Sequence, residues 1–166
     1  MAFQRQTNRR LYEEHAATLQ LLGRVERVFT GRAGAYPPPA DDAAWASFAR
    51  TLLGAIEVEV ARHFEFEERD LFPRLQQAGD GALVALLNEE HTTIRDAARP
   101  LADLLRQSLA AGLREAQWQT MKTLALEFSE RLASHAQKED GALLPLLELL
   151  LDEDTDRELF GAYAAG

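Results

Sequence analysis

The chain contains no cysteine, which excludes a disulfide framework, cysteine-ligated zinc and iron–sulfur clusters. It has no surplus of basic residues either. The 18 Lys+Arg stand against 27 Asp+Glu, a net charge of −9. That balance argues against nucleic acid, which needs a basic face, and against an anionic membrane surface. No uncharged apolar run approaches the roughly 18 residues needed to span a bilayer. The best candidate, Ala142–Leu151, contains Pro145 and Glu148. The basic start, Met1 to Arg10, leads into no apolar segment, so no secretory signal is expected and a cytoplasmic protein is the expectation. Alternating β-branched runs are missing too, so strands are not expected.

What the chain does have is Ala, Leu, Glu, Arg and Gln, all good helix formers. Its 166 residues suit one domain with a sizeable core. Four long amphipathic segments are legible. The first runs from about Thr7 to Phe29, with Thr7 or Asn8 as N-cap and a stripe of Leu11/Tyr12, His15, Leu19, Leu22, Val25 and Phe29. A stiff Tyr36-Pro37-Pro38-Pro39 linker follows. The second starts near Asp41/Asp42, carries Trp45, Phe48, Leu52, Ile56, Val60, His63, Glu67 and Leu71 on its stripe, and closes at Gly79. The third runs from Asp80 to about Ala111 with Leu83, Leu87, His91, Ile94, Ala98, Leu101, Leu105 and Leu109 inward, and Pro100 should kink it. The fourth runs from about Glu115 to Leu151 with Trp118, Met121, Leu124/Ala125, Phe128, Leu132, His135, Glu139, Leu143, Leu146 and Leu150. A short tail helix near Asp154–Tyr163 packs outside. The expectation is all-α: a single 1–166 domain, an antiparallel up-down-up-down four-helix bundle with core about 7–151 and a short C-terminal helix.

The halves repeat. His63 to Leu75 (HFEFEERDLFPRL) and His135 to Leu147 (HAQKEDGALLPLL) share a His-x3-Glu-acid pattern with a Pro further on. Glu13-Glu14-His15 echoes Glu89-Glu90-His91. Each of the four histidines falls on a different segment, always on its apolar stripe, and Glu67 and Glu139 sit one turn after His63 and His135. One such histidine alone is usually a neutral core residue. Six such groups together are another matter, because an unpaired buried carboxylate costs several kcal/mol. A pair of divalent ions compensates that burial. Six side chains exceed one four-coordinate zinc site and suit two ions roughly 3.5–4 Å apart, bridged by the carboxylates. Mixed imidazole and carboxylate ligands favour iron, manganese or zinc over magnesium or calcium.

The set His15, His63–Glu67, His91 and His135–Glu139 resembles the hemerythrin-like HHE domains, which place a His on helix one, His-x3-Glu on helix two, a His on helix three and His-x3-Glu on helix four. The resemblance covers about Leu11 to Leu150. It implies a non-heme di-iron centre with oxo or hydroxo and carboxylate bridges, held by those six residues. Oxygen-carrying hemerythrins have another His one turn after the helix-three His. Here that position is Arg95, so reversible oxygen carriage is not expected. The four-His pattern looks more like the iron-sensing and iron–sulfur-repair branches, without the Cys-bearing module usual in the latter. Oxygen carriers also use an Asp five residues after the helix-four His, the place of Asp140, whereas the internal repeat aligns Glu139 with Glu67.

The resemblance implies a protein that binds or reacts with O2, nitric oxide or peroxide, or senses iron or oxygen, with a redox partner if it turns over. No separate acid–base or nucleophilic set is visible, so a binding role is favoured over a dedicated enzyme. A di-iron redox enzyme and a helical interaction module with zinc or no metal are the alternatives. Arg95 can point inward to the open coordination site, pair with a carboxylate, or snorkel outward. Tyr12, one turn before His15, can hydrogen-bond a ligand or simply pack. Glu59 and Arg131 can orient imidazoles or form surface pairs. Glu13, Glu14, Glu89 and Glu90 are expected on a solvated face.

Overall fold

A computed structural model describes residues 3–165, apart from the side chains of Ala33 and Glu59. The fold is all-helical, with no strand among the described residues. Helix α1 spans Gln6–Thr30 and is followed by a 3₁₀ turn, Arg32–Ala35. Helix α2 covers 43–78, α3 is Gly81–Ala111, α4 covers 115–150 and α5 is Glu153–Ala165. Asp42 caps α2 by accepting from the Trp45 N–H at 2.9 Å. Gly79 ends it at φ 105°, a left-handed turn that favours glycine.

The start of α1 differs from expectation. Thr7 and Asn8 are buried inside the helix rather than capping it. The caps come from distant residues instead: Asp156 of α5 accepts from the Gln6 and Thr7 N–H groups at 2.8 and 3.0 Å. Asn8 Nδ2 donates to the Leu144 carbonyl and to Glu148. So α5 binds the first turn of α1 by its free donors. Helix α3 continues through Pro100, whose ring faces solvent.

Two apolar zones fill the interior. In one, Phe29 ends α1, Trp45 and Phe48 open α2, and Trp118 opens α4, with ring centroids 5.1 to 6.3 Å apart. Trp45 Nε1 donates to Ser108 near the end of α3, and Trp118 Nε1 donates to the Gly34 carbonyl at 3.0 Å. A Cβ on Gly34 would stand 2.3 Å from the Val28 carbonyl oxygen, so only glycine fits this approach. The other zone gathers Leu11 of α1, Leu71, Phe72 and Leu75 of α2, Val84 and Leu87 of α3, Leu143, Leu144 and Leu147 of α4, and Leu159 and Tyr163 of α5. Each fully buried Leu or Phe contributes about 1.5–3 kcal/mol. In α1, α3 and α4 the histidine lies between the residues of these two zones, and in α2 His63 stands beside Phe64 where they meet.

Helices α2 and α4 are not uniformly α-helical. Wider π turns occupy Ala55–Val60, Glu67–Leu71 and Glu139–Leu143. The last two begin at the repeated glutamates, where Phe72 N–H bonds back to Glu67 and Leu144 N–H to Glu139. Pro73 and Pro145 follow directly and have no N–H to complete an α-type ladder, and a wider turn accommodates that gap. The extra residue rotates whatever comes next. Beyond Leu143 the buried positions are Leu144, Leu147 and Leu151, while Leu150, expected inside, is 43% exposed.

Candidate metal centre

Between the two apolar zones lie six buried polar side chains. His15, His63, His91, His135, Glu67 and Glu139 are all at most 8% exposed, and His91 and both glutamates are fully buried. The imidazoles pair through their Nε2 atoms: His15 faces His63 at 3.1 Å and His91 faces His135 at 3.0 Å. Two nitrogen lone pairs aimed at each other repel unless a proton or a cation lies near both.

Each glutamate reaches both histidine pairs. Glu67 Oε1 lies 3.2 Å from His63 Nε2 and its Oε2 3.3 Å from His91 Nε2. Glu139 Oε2 lies 3.2 Å from His15 Nε2 and its Oε1 3.0 Å from His135 Nε2. None of the four carboxylate oxygens has a well-aligned hydrogen-bond donor. Buried, charged and orphaned oxygens beside converging imidazole lone pairs form a donor set that could hold a cation. Among the described residues there are two such groups: His15, His63, Glu67 and Glu139, and His91, His135, Glu67 and Glu139, each with ligand atoms within 4.8 Å of one another. The carboxylates are common to both.

The other ring nitrogens are held by a second set of carboxylates. His15 Nδ1 is 2.6 Å from Asp140, His63 Nδ1 is 3.0 Å from Glu14, His91 Nδ1 is 2.6 Å from Glu68 and His135 Nδ1 is 2.9 Å from Glu90. With Nδ1–H donating to a carboxylate, each Nε2 is left as the lone-pair donor, and the ring orientation is fixed. The carboxylate always comes from a neighbouring helix: α4 serves α1, α1 serves α2, α2 serves α3 and α3 serves α4. Glu14 and Glu90 precede a histidine in sequence, and Glu68 and Asp140 follow the inward glutamates, one position off the stripe. Expected on a solvated face, Glu14 and Glu90 instead orient imidazoles. Asp140 is the Nδ1 partner of His15 while Glu139 points between the rings.

The electrostatics follow from these contacts. Burial alone would push Glu14, Glu68 and Glu90 upward. Hydrogen bonds from His63 and Tyr163, from Arg95 and His91, and from Lys138 and His135 overcome it and hold all three below the usual carboxylate range. Glu67, despite complete burial, is held well below that range by His63 and then His91. Burial would lower His15, but Asp140 and Glu139 raise it to about 9. His63 and His135 are raised for the same reason, by their carboxylate neighbours. These neighbours favour the protonated imidazoles, and a metal ion at Nε2 would have to take the place of those protons.

The surroundings of the two pairs differ. A cavity of about 370 Å³ opens between α1, α2, α4 and α5 and reaches His15, His63, His135 and Glu139. Ala17, Thr18, Val58 and Leu132 line its walls. His91 does not line it. The ring of Phe64 lies parallel to His91 at 3.6 Å, and Phe72 stacks against it at 5.4 Å.

Three further candidates make their contacts outside the six-residue set. Arg95 does not enter the centre; it donates to Glu68 at 2.8 Å and lies over the Phe64 ring, because Glu68 is the nearest anion. Tyr12 is 38% exposed and packs edge-on against Phe3 at 5.8 Å, to one side of the α1 stripe. The tyrosine that does reach the network is Tyr163 of α5, which donates to Glu14. Arg131 pairs with Glu127 on the surface, and the side chain of Glu59 lies outside the described residues.

A family model described as the hemerythrin HHE cation binding domain matches residues 6–148. The search of curated proteins returned no match. No described helix is long and apolar enough to cross a membrane.

Proposed function

The chain belongs to the hemerythrin HHE cation-binding family, and on that premise we propose that it is a non-heme di-iron protein that binds or reacts with O2, nitric oxide or peroxide. In this reading the four long helices form an up-down-up-down bundle. The end of α1 meets the starts of α2 and α4 at the tryptophans, and the start of α1 meets the end of α4 at Asn8, which supports that order. His15 and His63 hold one metal position, His91 and His135 the other, and Glu67 and Glu139 bridge the two.

The observation that carries the reading is the set of four carboxylate oxygens, buried without a hydrogen-bond donor, facing two pairs of imidazole lone pairs. The charges are compatible: two divalent cations bring +4 and the glutamates return −2, so a bridging oxide would cancel the remaining charge and a bridging hydroxide would reduce it to +1. Iron, when bound, supplies one-electron redox chemistry and open coordination sites. The chain's own residues do the rest. Asp140, Glu14, Glu68 and Glu90 hold each Nδ1 proton and so keep each Nε2 free. Phe64 and Phe72 exclude water from the His91 side, and the cavity admits a small ligand to the His15–His63 side. Manganese or zinc fits the same donors. With no helical stretch suited to a bilayer and a net charge of −9, a cytoplasmic location is part of the proposal.

Elemental analysis of protein produced with sufficient iron tests it. About two irons per chain are expected, and no iron after anaerobic Fe²⁺ addition would overturn it. Stoichiometric zinc that Fe²⁺ does not displace would favour the interaction-module reading.

A further inference from the structure

Four carboxylates orient the four imidazoles, and what lies behind each of them differs. Glu68 accepts from the Arg95 guanidinium and Glu90 from the Lys138 ammonium. Among the described residues, Asp140 has no partner besides His15. Glu14 accepts from a neutral phenol: the Tyr163 hydroxyl lies 2.5 Å from Glu14 Oε2, the same oxygen that lies 3.0 Å from His63 Nδ1. Arg10 and Arg62 reach its other oxygen at 2.8 and 3.5 Å. Tyr163 is 5% exposed, stacks on Phe66 at 4.3 Å, and lies under the Arg62 guanidinium at 4.5 Å. It also forms part of the cavity lining. Helix α5 has no counterpart in the internal repeat and falls outside the matched residues 6–148, so Tyr163 reaches Glu14 from beyond the matched segment.

The geometry points to Tyr163 as a positioning residue that tunes one of the two metal positions through Glu14 and His63. A carboxylate shared between two donors on one oxygen pulls less on each of them. With the phenol in place, the His63 Nδ1–H is less polarised, the imidazole has less anionic character, and it is a weaker donor to a metal at its Nε2. A weaker donor stabilises the oxidised metal less. The tyrosine therefore raises the reduction potential of the His15–His63 position relative to a centre without it. The same ring forms a wall of the cavity, so a molecule that enters and shifts Tyr163 changes the metal's ligand as well as its surroundings. The inference rests on the proposed metal-binding reading.

The test compares iron-loaded wild type with Tyr163→Phe and Tyr163→Leu. The Phe variant keeps the stacking on Phe66 and the cavity wall and loses only the hydroxyl. Iron content is measured first, then the midpoint potential by spectroelectrochemical titration. The expected result is unchanged iron with a more negative potential in Tyr163→Phe. Wild-type potential in Tyr163→Phe would overturn the inference, and a shift confined to Tyr163→Leu would assign the residue to packing instead. Loss of iron in Tyr163→Phe would likewise show a structural role. Failure of the wild type to bind iron would count against the metal-binding reading and is distinguishable from all of these.

Discussion

The two halves of the candidate metal centre are built from one repeated pattern and placed in different surroundings. Both His15 and His63 border a cavity that in the other pair reaches only His135, and the carboxylate behind His63 is shared with a tyrosine. The His91–His135 pair is backed by carboxylates that meet Arg95 and Lys138, and an aromatic ring lies flat on His91. The inward residues repeat, so each half presents two histidines between the same two glutamates. The outward ones diverge, and of the four histidines only His91 does not line the cavity. The repeated pattern sets the inward residues, and the flanking residues give the two histidine pairs different surroundings.

The sharpest way to break the comparison is to remove what the halves share. Glu67→Ala deletes a carboxylate that lies beside both pairs, so iron should fall from about two per chain toward zero. Retention of one full iron would show that the halves do not share it. Phe64→Ala removes the ring stacked on His91, a side chain only 1% exposed. It should cost about 3–5 kcal/mol in denaturant unfolding and let azide reach the second position. An unchanged azide stoichiometry would mean that the ring is not the barrier.

Proton competition sharpens the picture further. His15 is raised to about 9 in the metal-free chain. A raised imidazole stabilises that state fully below its ordinary pKa and loses the contribution as pH climbs toward about 9. Metal requires the neutral ring, so affinity for Fe²⁺ or Zn²⁺ should climb across the same window, with proton release detectable by calorimetry in two buffers. Affinity independent of pH there would contradict the assignment of His15. Arg95→Ala should do least. The pair with Glu68 is part-exposed, worth no more than about 1 kcal/mol, and iron should stay. Loss of iron would place Arg95 nearer the centre than its contact with Glu68 suggests.

Much of this architecture was legible in residue periodicity. The stripe from Trp45 to Leu71 is buried throughout, and so are the inward residues of α4 as far as Leu143. Past that point the forecast fails at Leu150, because a π turn adds a residue that a 3.6-residue period does not count. A signal for it was present: Pro stands six residues after the inward glutamate in both halves, at Pro73 and Pro145. The orienting carboxylates were missed for a geometric reason. Glu14, Glu68, Glu90 and Asp140 sit one position off the stripe, about 100° around the helix, where a solvated face is the ordinary reading. Each sits next to an inward His or Glu in both repeats, and that shared adjacency marks them. Tyr163 gave no such signal, since its contact with Glu14 spans 149 residues and depends on how α5 folds back.

The central claim is a pair of metal ions between two histidine pairs, joined by two glutamates. Anomalous X-ray scattering at the iron edge from crystals of iron-loaded protein tests it most directly. The account predicts two peaks per chain, one beside His15 and His63 and one beside His91 and His135, each in reach of Glu67 and Glu139. A single peak, or peaks only at exposed carboxylates, would contradict it.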